Sequence, residues 1–335
     1  MPVLSNHMHT SLKSLALLAL TATAVSVQAA DAVTVDPKLP AYAVASGVSG
    51  NLNSVGSDTL NNLMTFWGEG FKAQYPNVKI QVEGKGSGTA PVALTSGAAQ
   101  VGPMSREMKA TEINAFAAKF GHKPTRIAVA IDALAVFVHK DNAINGLSLK
   151  QVDGIFASTR KRGGQDVVTW GDLGQKGALA GKTVSAFGRN SASGTYGFFK
   201  EVVLKNGDYK DTIKEQPGSS SVVQGVAADV GAVGYSGIGY ATSGVRALAL
   251  SADDSGNFVE PSYANCLNGS YPLSRYLYVY VNKAPSRPMD KLTSEFITFV
   301  LSKQGQEIVI KDGYFPLPAE VADEGRASLK FYSAE

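Results

Sequence analysis

The residues best suited to chemistry in this chain stand together in Phe187-Gly-Arg-Asn-Ser-Ala-Ser-Gly-Thr-Tyr196. From Arg189 to Thr195 there are an arginine, two serines, a glycine and a threonine. A forked cation, short hydroxyl donors and free backbone N–H groups at a helix start are what a protein uses to hold a small oxyanion. In that assignment Arg189 pairs with the anion, while Ser193, Gly194 and Thr195 donate from side chain and backbone. A capped helix with an exposed arginine fits the same seven residues, and the motif alone does not separate the two. Comparable turns elsewhere favour the first. Ser57-Asp-Thr59 precedes apolar residues at 60, 63, 64, 67 and 71, the spacing of a helix. Gly84-Lys-Gly-Ser-Gly-Thr89, which contains Ser87, leads into a short helix over 90–96, and the strand end Gln100–Ser105 closes in a turn at Ser105. Each helix start offers unpaired N–H groups and a partial positive charge. A few charge-assisted hydrogen bonds, each contributing about 1.5–3 kcal/mol, would bring micromolar affinity within reach, about −8 kcal/mol.

The elements that must position these turns are short strands and helices in alternation. Strands are expected over 48–55, 78–82, 183–188 and 231–235. Helices are expected over 60–71, 107–120, 148–156, 193–204, 220–230, 292–301 and 303–310, with a last one from Pro318. Residues 31–50, with Pro37 and Pro40, read as an extended surface arm. Two runs differ from the rest. Arg126–His139 is nearly all apolar and rich in β-branched residues, so it is one long buried strand or two in succession. Tyr276–Val281 is similar. A pair of such strands would serve as a crossover between two lobes. The fold class is α/β.

The 335 residues, 44% of them hydrophobic and 18% charged, are enough for two domains. Leu15–Val27 is apolar and small after Lys13, and Val27-Gln-Ala29 has the form of a signal-peptidase site. A cleaved secretory signal over 1–29 is therefore expected, leaving about 305 residues. The apolar run is shorter than the roughly 20 residues that cross a bilayer. The formal charge of +3 loses one unit with Lys13, a near balance that argues against a nucleic-acid surface. Cys266 has no partner for an internal disulfide. Only His122 and His139 remain after cleavage, which leaves no zinc-ligand set and no cofactor motif, while carboxylates for a hard cation stay open.

Catalytic motifs are weak. There is no G-x-S-x-G elbow and no histidine in a triad setting. Gly177-Ala-Leu-Ala-Gly-Lys-Thr183 is one residue short of a phosphate-binding P-loop and reads as a turn before a strand. Arg160-Lys-Arg162 is a solvated loop, and Trp67 and Trp170 have core settings.

The order Gly56-Ser-Asp-Thr59, Gly86-Ser-Gly88, Val101-Gly-Pro-Met-Ser105, Ile155-Phe, Trp170-Gly-Asp172, Arg189-x-x-x-Ser193-Gly-Thr195 and Gly231-Ala-Val-Gly-Tyr235 resembles the PstS family over roughly residues 48–320. These are the periplasmic phosphate-binding proteins that feed the phosphate ABC importer. The resemblance implies a two-lobed type II periplasmic-binding-protein fold, with 30–131 and 280–335 in one lobe and 132–279 in the other. It implies inorganic phosphate as ligand, permease subunits as partners, a periplasmic monomer and no catalysis. Carried over by position, Ser57, Thr59 and Ser87 are first-lobe donors; Arg189, Ser193, Gly194 and Thr195 are second-lobe donors. Two departures stand out. Many members have an aspartate where this chain has Ser105, which accepts a hydrogen bond from a protonated phosphate oxygen and so rejects sulfate. Many also have an acid two residues after the arginine, where this chain has Ser191. Asp58 either supplies the missing acceptor or caps its own helix, and Arg106 is either a second cation in the cleft or an exposed arginine. A receptor for sulfate or molybdate, or an exported phosphatase, are the competing functions.

Overall fold

A fifteen-residue strand, Thr125–His139, runs through the middle of the molecule and belongs to both halves of one sheet. The structure, a computed structural model, describes residues 32–330, so the signal peptide expected over 1–29 lies outside the described residues. Among the described residues, 33–330 form one compact unit. Irregular chain up to residue 49 is pinned by the buried Leu39 and Val48, and the elements then follow in alternation. β1 (Gly50–Val55) leads through a single 3-10 turn, Asp58–Leu60, into α1 (Asn61–Gln74). β2 (Val78–Glu83), α2 (Thr89–Ser96), β3 (Val101–Met104) and α3 (Ala110–Phe120) follow. Then come the long strand β4 (Thr125–His139), β5 (Gly146–Ser148) and α4 (Leu149–Phe156). The next group is β6 (Ser185–Arg189), α5 (Gly194–Val202), β7 (Lys214–Gln216), α6 (Ser219–Ala227) and β8 (Ala232–Gly237). β9 (Val245–Ala247), β10 (Ala249–Ser251), α7 (Tyr263–Leu267) and β11 (Ser274–Val281) precede three last helices. These are α8 (Lys291–Val300), α9 (Lys303–Lys311) and α10 (Ala319–Ser328).

The strand order is β2-β1-β3-β11-β4-β8-β6-β7, with β9 also on β4. β4 pairs antiparallel with β11 up to Ala133, then with β8 from Leu134 onward. The change of partner falls at Asp132–Leu134, beside Ser274 and Arg275 of β11. β4 is buried from Val129 through Val138, which is why it reads as a continuous apolar run rather than an alternating one. Of the two readings open for that run, the structure takes the single long strand.

Most elements lie within a few residues of their expected bounds. α3 starts three residues later than its expected 107: its backbone caps at Lys109, where Glu112 reaches back to the Lys109 N–H. α1 buries Leu63, Met64, Trp67 and Phe71 on one face, as its spacing requires. Both tryptophans are fully buried, with Trp67 Nε1 donating to Gly305 O and Trp170 Nε1 to Gly231 O. The P-loop-like segment forms a 3-10 turn, Gly177–Leu179, before β6.

Candidate functional site

Three turns of the first half meet one turn of the second. β1, α2 and β3 bring Ser57, Thr59, Ser87 and Ser105 together; the turn from β6 into α5 brings Arg189, Ser193, Gly194 and Thr195 against them. All eight are buried, with Ser87, Ser105 and Thr195 at 0% exposure and Arg189 at 1%. Gly56 makes this approach possible: a Cβ there would stand 2.1 Å from Pro103 O, so only glycine lets β1 pass β3 so closely.

The hydroxyls form one network. Ser105 Oγ accepts from Ser57 Oγ at 3.0 Å and from Thr59 Oγ1 at 3.3 Å, and lies 3.3 Å from Ser87 Oγ. Thr59 Oγ1 is 2.9 Å from Thr195 Oγ1, across the two halves. Ser87 Oγ accepts from Ser105 N at 3.0 Å, and Ser193 Oγ caps α5 by accepting from Tyr196 N at 3.3 Å. A hydroxyl has one proton. With a backbone N–H on its lone pairs, the hydroxyl of Ser87 or Ser193 keeps its proton free to donate. The N–H groups of Gly194 and Thr195 stand in the first turn of α5 and have no intrahelical acceptor.

Arg189 is not the exposed arginine of the competing interpretation. Its Nη1 donates to Ser219 Oγ at 2.7 Å, and its Nη2 donates to Pro217 O at 3.1 Å and lies 3.3 Å from Asp58 Oδ2. Its buried Nε has no hydrogen-bond partner among the described residues. Burial draws the guanidinium below the usual arginine range, and the Asp58 charge opposes that pull. The Arg189 backbone N–H is held by Tyr235 Oη, whose own hydroxyl burial pushes up to about 12.

Asp58 is turned toward α6. Its Oδ2 accepts from Ser219 N at 2.8 Å, so the carboxylate meets both the start of α6 and Arg189. Tyr240 Oη donates to the Asp58 carbonyl and Tyr314 Oη to the Thr59 carbonyl, which fixes the turn from both sides. Arg106 makes a two-pronged pair with Glu112 and donates to Glu107 O, so its guanidinium is committed outside the hydroxyl cluster. Ser191 is exposed. Beside the cluster opens a cleft of about 850 Å³, lined among others by Ser105, Arg106, Ser193, Tyr196 and Arg275.

Sequence reasoning missed Arg275 and Asp132. Arg275 donates to Asp132 Oδ2 from Nε at 2.9 Å and from Nη2 at 2.7 Å, to Ser105 O from Nη1, and to Thr195 Oγ1 from Nη2 at 3.0 Å. Asp132 also accepts from Ile238 N. The signal was present: one acid sits inside the apolar run of β4 and one base at the head of β11. Buried charges of opposite sign in two neighbouring apolar strands imply each other. Ser219 was likewise missed, hidden in a run of serines at the start of α6.

The fold and this site define a binding protein of the PBP superfamily, whose domain model matches residues 42–304. A curated relative, the phosphate-binding protein PstS of Pseudomonas aeruginosa, is 59% identical over 93% of this chain and 98% of its own length. The chain belongs to the PstS family. A putative phosphate ABC transporter substrate-binding protein from Clostridium perfringens, solved with bound phosphate, is 25% identical with a TM-score of 0.68, covering 80% of this chain and all of that one. A possible phosphate-binding protein from Planctomyces limnophilus is 28% identical with a TM-score of 0.61, covering 84% of this chain and 98% of that one. Family membership makes the chain a transporter substrate-binding protein and not an enzyme. No helix among the described residues is long and apolar enough to cross a membrane.

Proposed function

We propose that this chain is an exported receptor that binds inorganic phosphate and delivers it to the permease subunits of an ABC importer. In this reading the signal over 1–29 is removed, and the mature protein works as a periplasmic monomer. The halves of the sheet on either side of Asp132–Leu134 act as two lobes, close to the division at 131/132 and 279/280. One lobe offers Ser57, Thr59, Ser87 and Ser105; the other offers Arg189, Ser193, Gly194 and Thr195. The observation that carries the reading is the Arg189 Nε, buried and without a partner among the described residues, on a guanidinium that meets Asp58 in the turn holding Ser57 and Thr59. A buried charged donor left unpaired is costly unless an anion meets it.

Asp58 orients Arg189 from the opposite lobe. It takes the part that an acid two residues past the arginine would otherwise play, and Ser105 is the neutral acceptor of the cluster. Calorimetric titration with phosphate, arsenate and sulfate at two pH values tests the reading. Tight binding of phosphate and arsenate is expected, with sulfate weaker. Sulfate binding as tightly as phosphate would move the assignment to the other tetrahedral oxyanions, which is the outcome that a site without the usual aspartate leaves open.

A further inference from the structure

We propose that Arg275, held by Asp132, is a positioning residue for the anion: it fixes Thr195 as a donor and ties the two lobes at the strand crossing. The proposal rests on the phosphate reading above and deepens it. Arg275 and Asp132 face each other in register on β11 and β4, at the point where β4 leaves β11 for β8. Asp132 is 0% exposed and Arg275 7%, so the pair is built into the sheet rather than laid on its surface.

A guanidinium has five N–H donors and no acceptor. Thr195 Oγ1 must therefore accept from Arg275 Nη2, and its single proton is directed away, toward Thr59 or a ligand between the lobes. Ser87 and Ser193 reach the same state through backbone N–H groups within their own lobe. Thr195 alone is set by a side chain from the crossing strands. The same guanidinium holds the Ser105 carbonyl through Nη1, so it touches the turns of both lobes at once. If the lobes part, the bonds within β4 and β11 remain and those to Thr195 or Ser105 break. Arg275 would then stay at the wall of the cleft as the cation an entering anion meets.

The test is a mutant cycle on the mature protein. Replacing only one member of the pair would leave a buried charge unmatched, so the background is the double variant Asp132→Asn with Arg275→Gln. Phosphate affinity is expected to fall about 10- to 100-fold in this variant, as for the loss of one or two charge-assisted bonds. Thr195→Val is expected to weaken binding at least about tenfold in the otherwise native protein and less than about threefold in the double variant, since the hydroxyl is no longer held as a donor. A purely structural pair would lower the melting temperature without ligand and leave the cost of Thr195→Val unchanged; equal costs on the two backgrounds overturn the proposal. A native protein that fails to bind phosphate at all overturns the phosphate reading instead, so the two failures are distinguishable.

Discussion

Arg189 stands at the site with its Nε N–H and one Nη1 hydrogen unmatched among the described residues, and the consequences can be measured one residue at a time. Arg189→Ala removes the buried guanidinium that Ser219 Oγ, the Pro217 carbonyl and Asp58 hold at the start of α6. The Nε N–H and the Nη1 hydrogen not given to Ser219 could make two charge-assisted bonds, which at about 1.5–3 kcal/mol each correspond to roughly a 10²- to 10⁴-fold loss of phosphate affinity. Calorimetry that found near-native binding would sink its role. Asp58→Asn keeps the shape and removes the charge beside Arg189. Because the carboxylate meets Arg189 and Ser219 N, phosphate and sulfate affinities are expected to fall together, on the order of tenfold, with their ratio unchanged. A ratio that shifted toward sulfate would show Asp58 to be the acceptor for a protonated oxygen. The gathering of Ser57, Ser87, Ser193 and Thr195 was legible because turn chemistry is local: a hydroxyl before a helix announces itself within four residues. Arg275 and Asp132 were not, because their pairing spans 143 positions and depends on the register of two strands.

Helix starts build the candidate site, and they number one more than the sequence suggested. The turn at Asp58, α2 and α5 were foreseen. α6 was foreseen as a helix, but its first residue, Ser219, joins Asp58 and Arg189, so a fourth N-terminus faces the same region. The three-residue strands β5, β7, β9 and β10 were invisible in the sequence, since three residues carry no alternation and their pairing is decided by distant partners. At this scale Gly194 is the sensitive position. A Cβ there would lie 2.2 Å from Ser87 Oγ and 2.7 Å from Ser105 Oγ, so α5 can approach these two serines only as glycine. Gly194→Ala is therefore expected to drive α5 away from Ser87 and Ser105 and to lower phosphate affinity at least about tenfold by calorimetry. A variant that bound normally would mean that α5 need not come this close to Ser87 and Ser105 for binding.

The molecule as a whole is organised by β4: the long apolar run from 126 to 139 had announced a crossover strand, and what it left open was whether that strand was one or two. What lay beyond the sequence was the packing of the chain's end against the second half. Asp312 caps the C-terminus of α9, where a carboxylate opposes the helix dipole, and its Oδ2 is buried without a partner among the described residues. Its carbonyl lies so close to Gly239 that a Cβ there would be 2.7 Å away, and Tyr240 and Tyr314 stand nearby. Burial pushes its carboxyl up to about 7, whereas an unfolded aspartate titrates near about 3.9. Between those values the folded protein holds a proton that the unfolded chain has lost, so stability falls as the pH rises from about 4 to about 7 and stays low above that. Asp312→Asn keeps the neutral form at every pH. Its melting temperature should match the native protein near pH 4 and exceed it by a few degrees at pH 8, since each kcal/mol moves the midpoint by roughly 2–4 °C in a chain of this order. Scanning calorimetry of both proteins across that range decides the point: a gap that did not widen with pH would mean that Asp312 is ionised in the folded state and that water or a neighbour meets its charge.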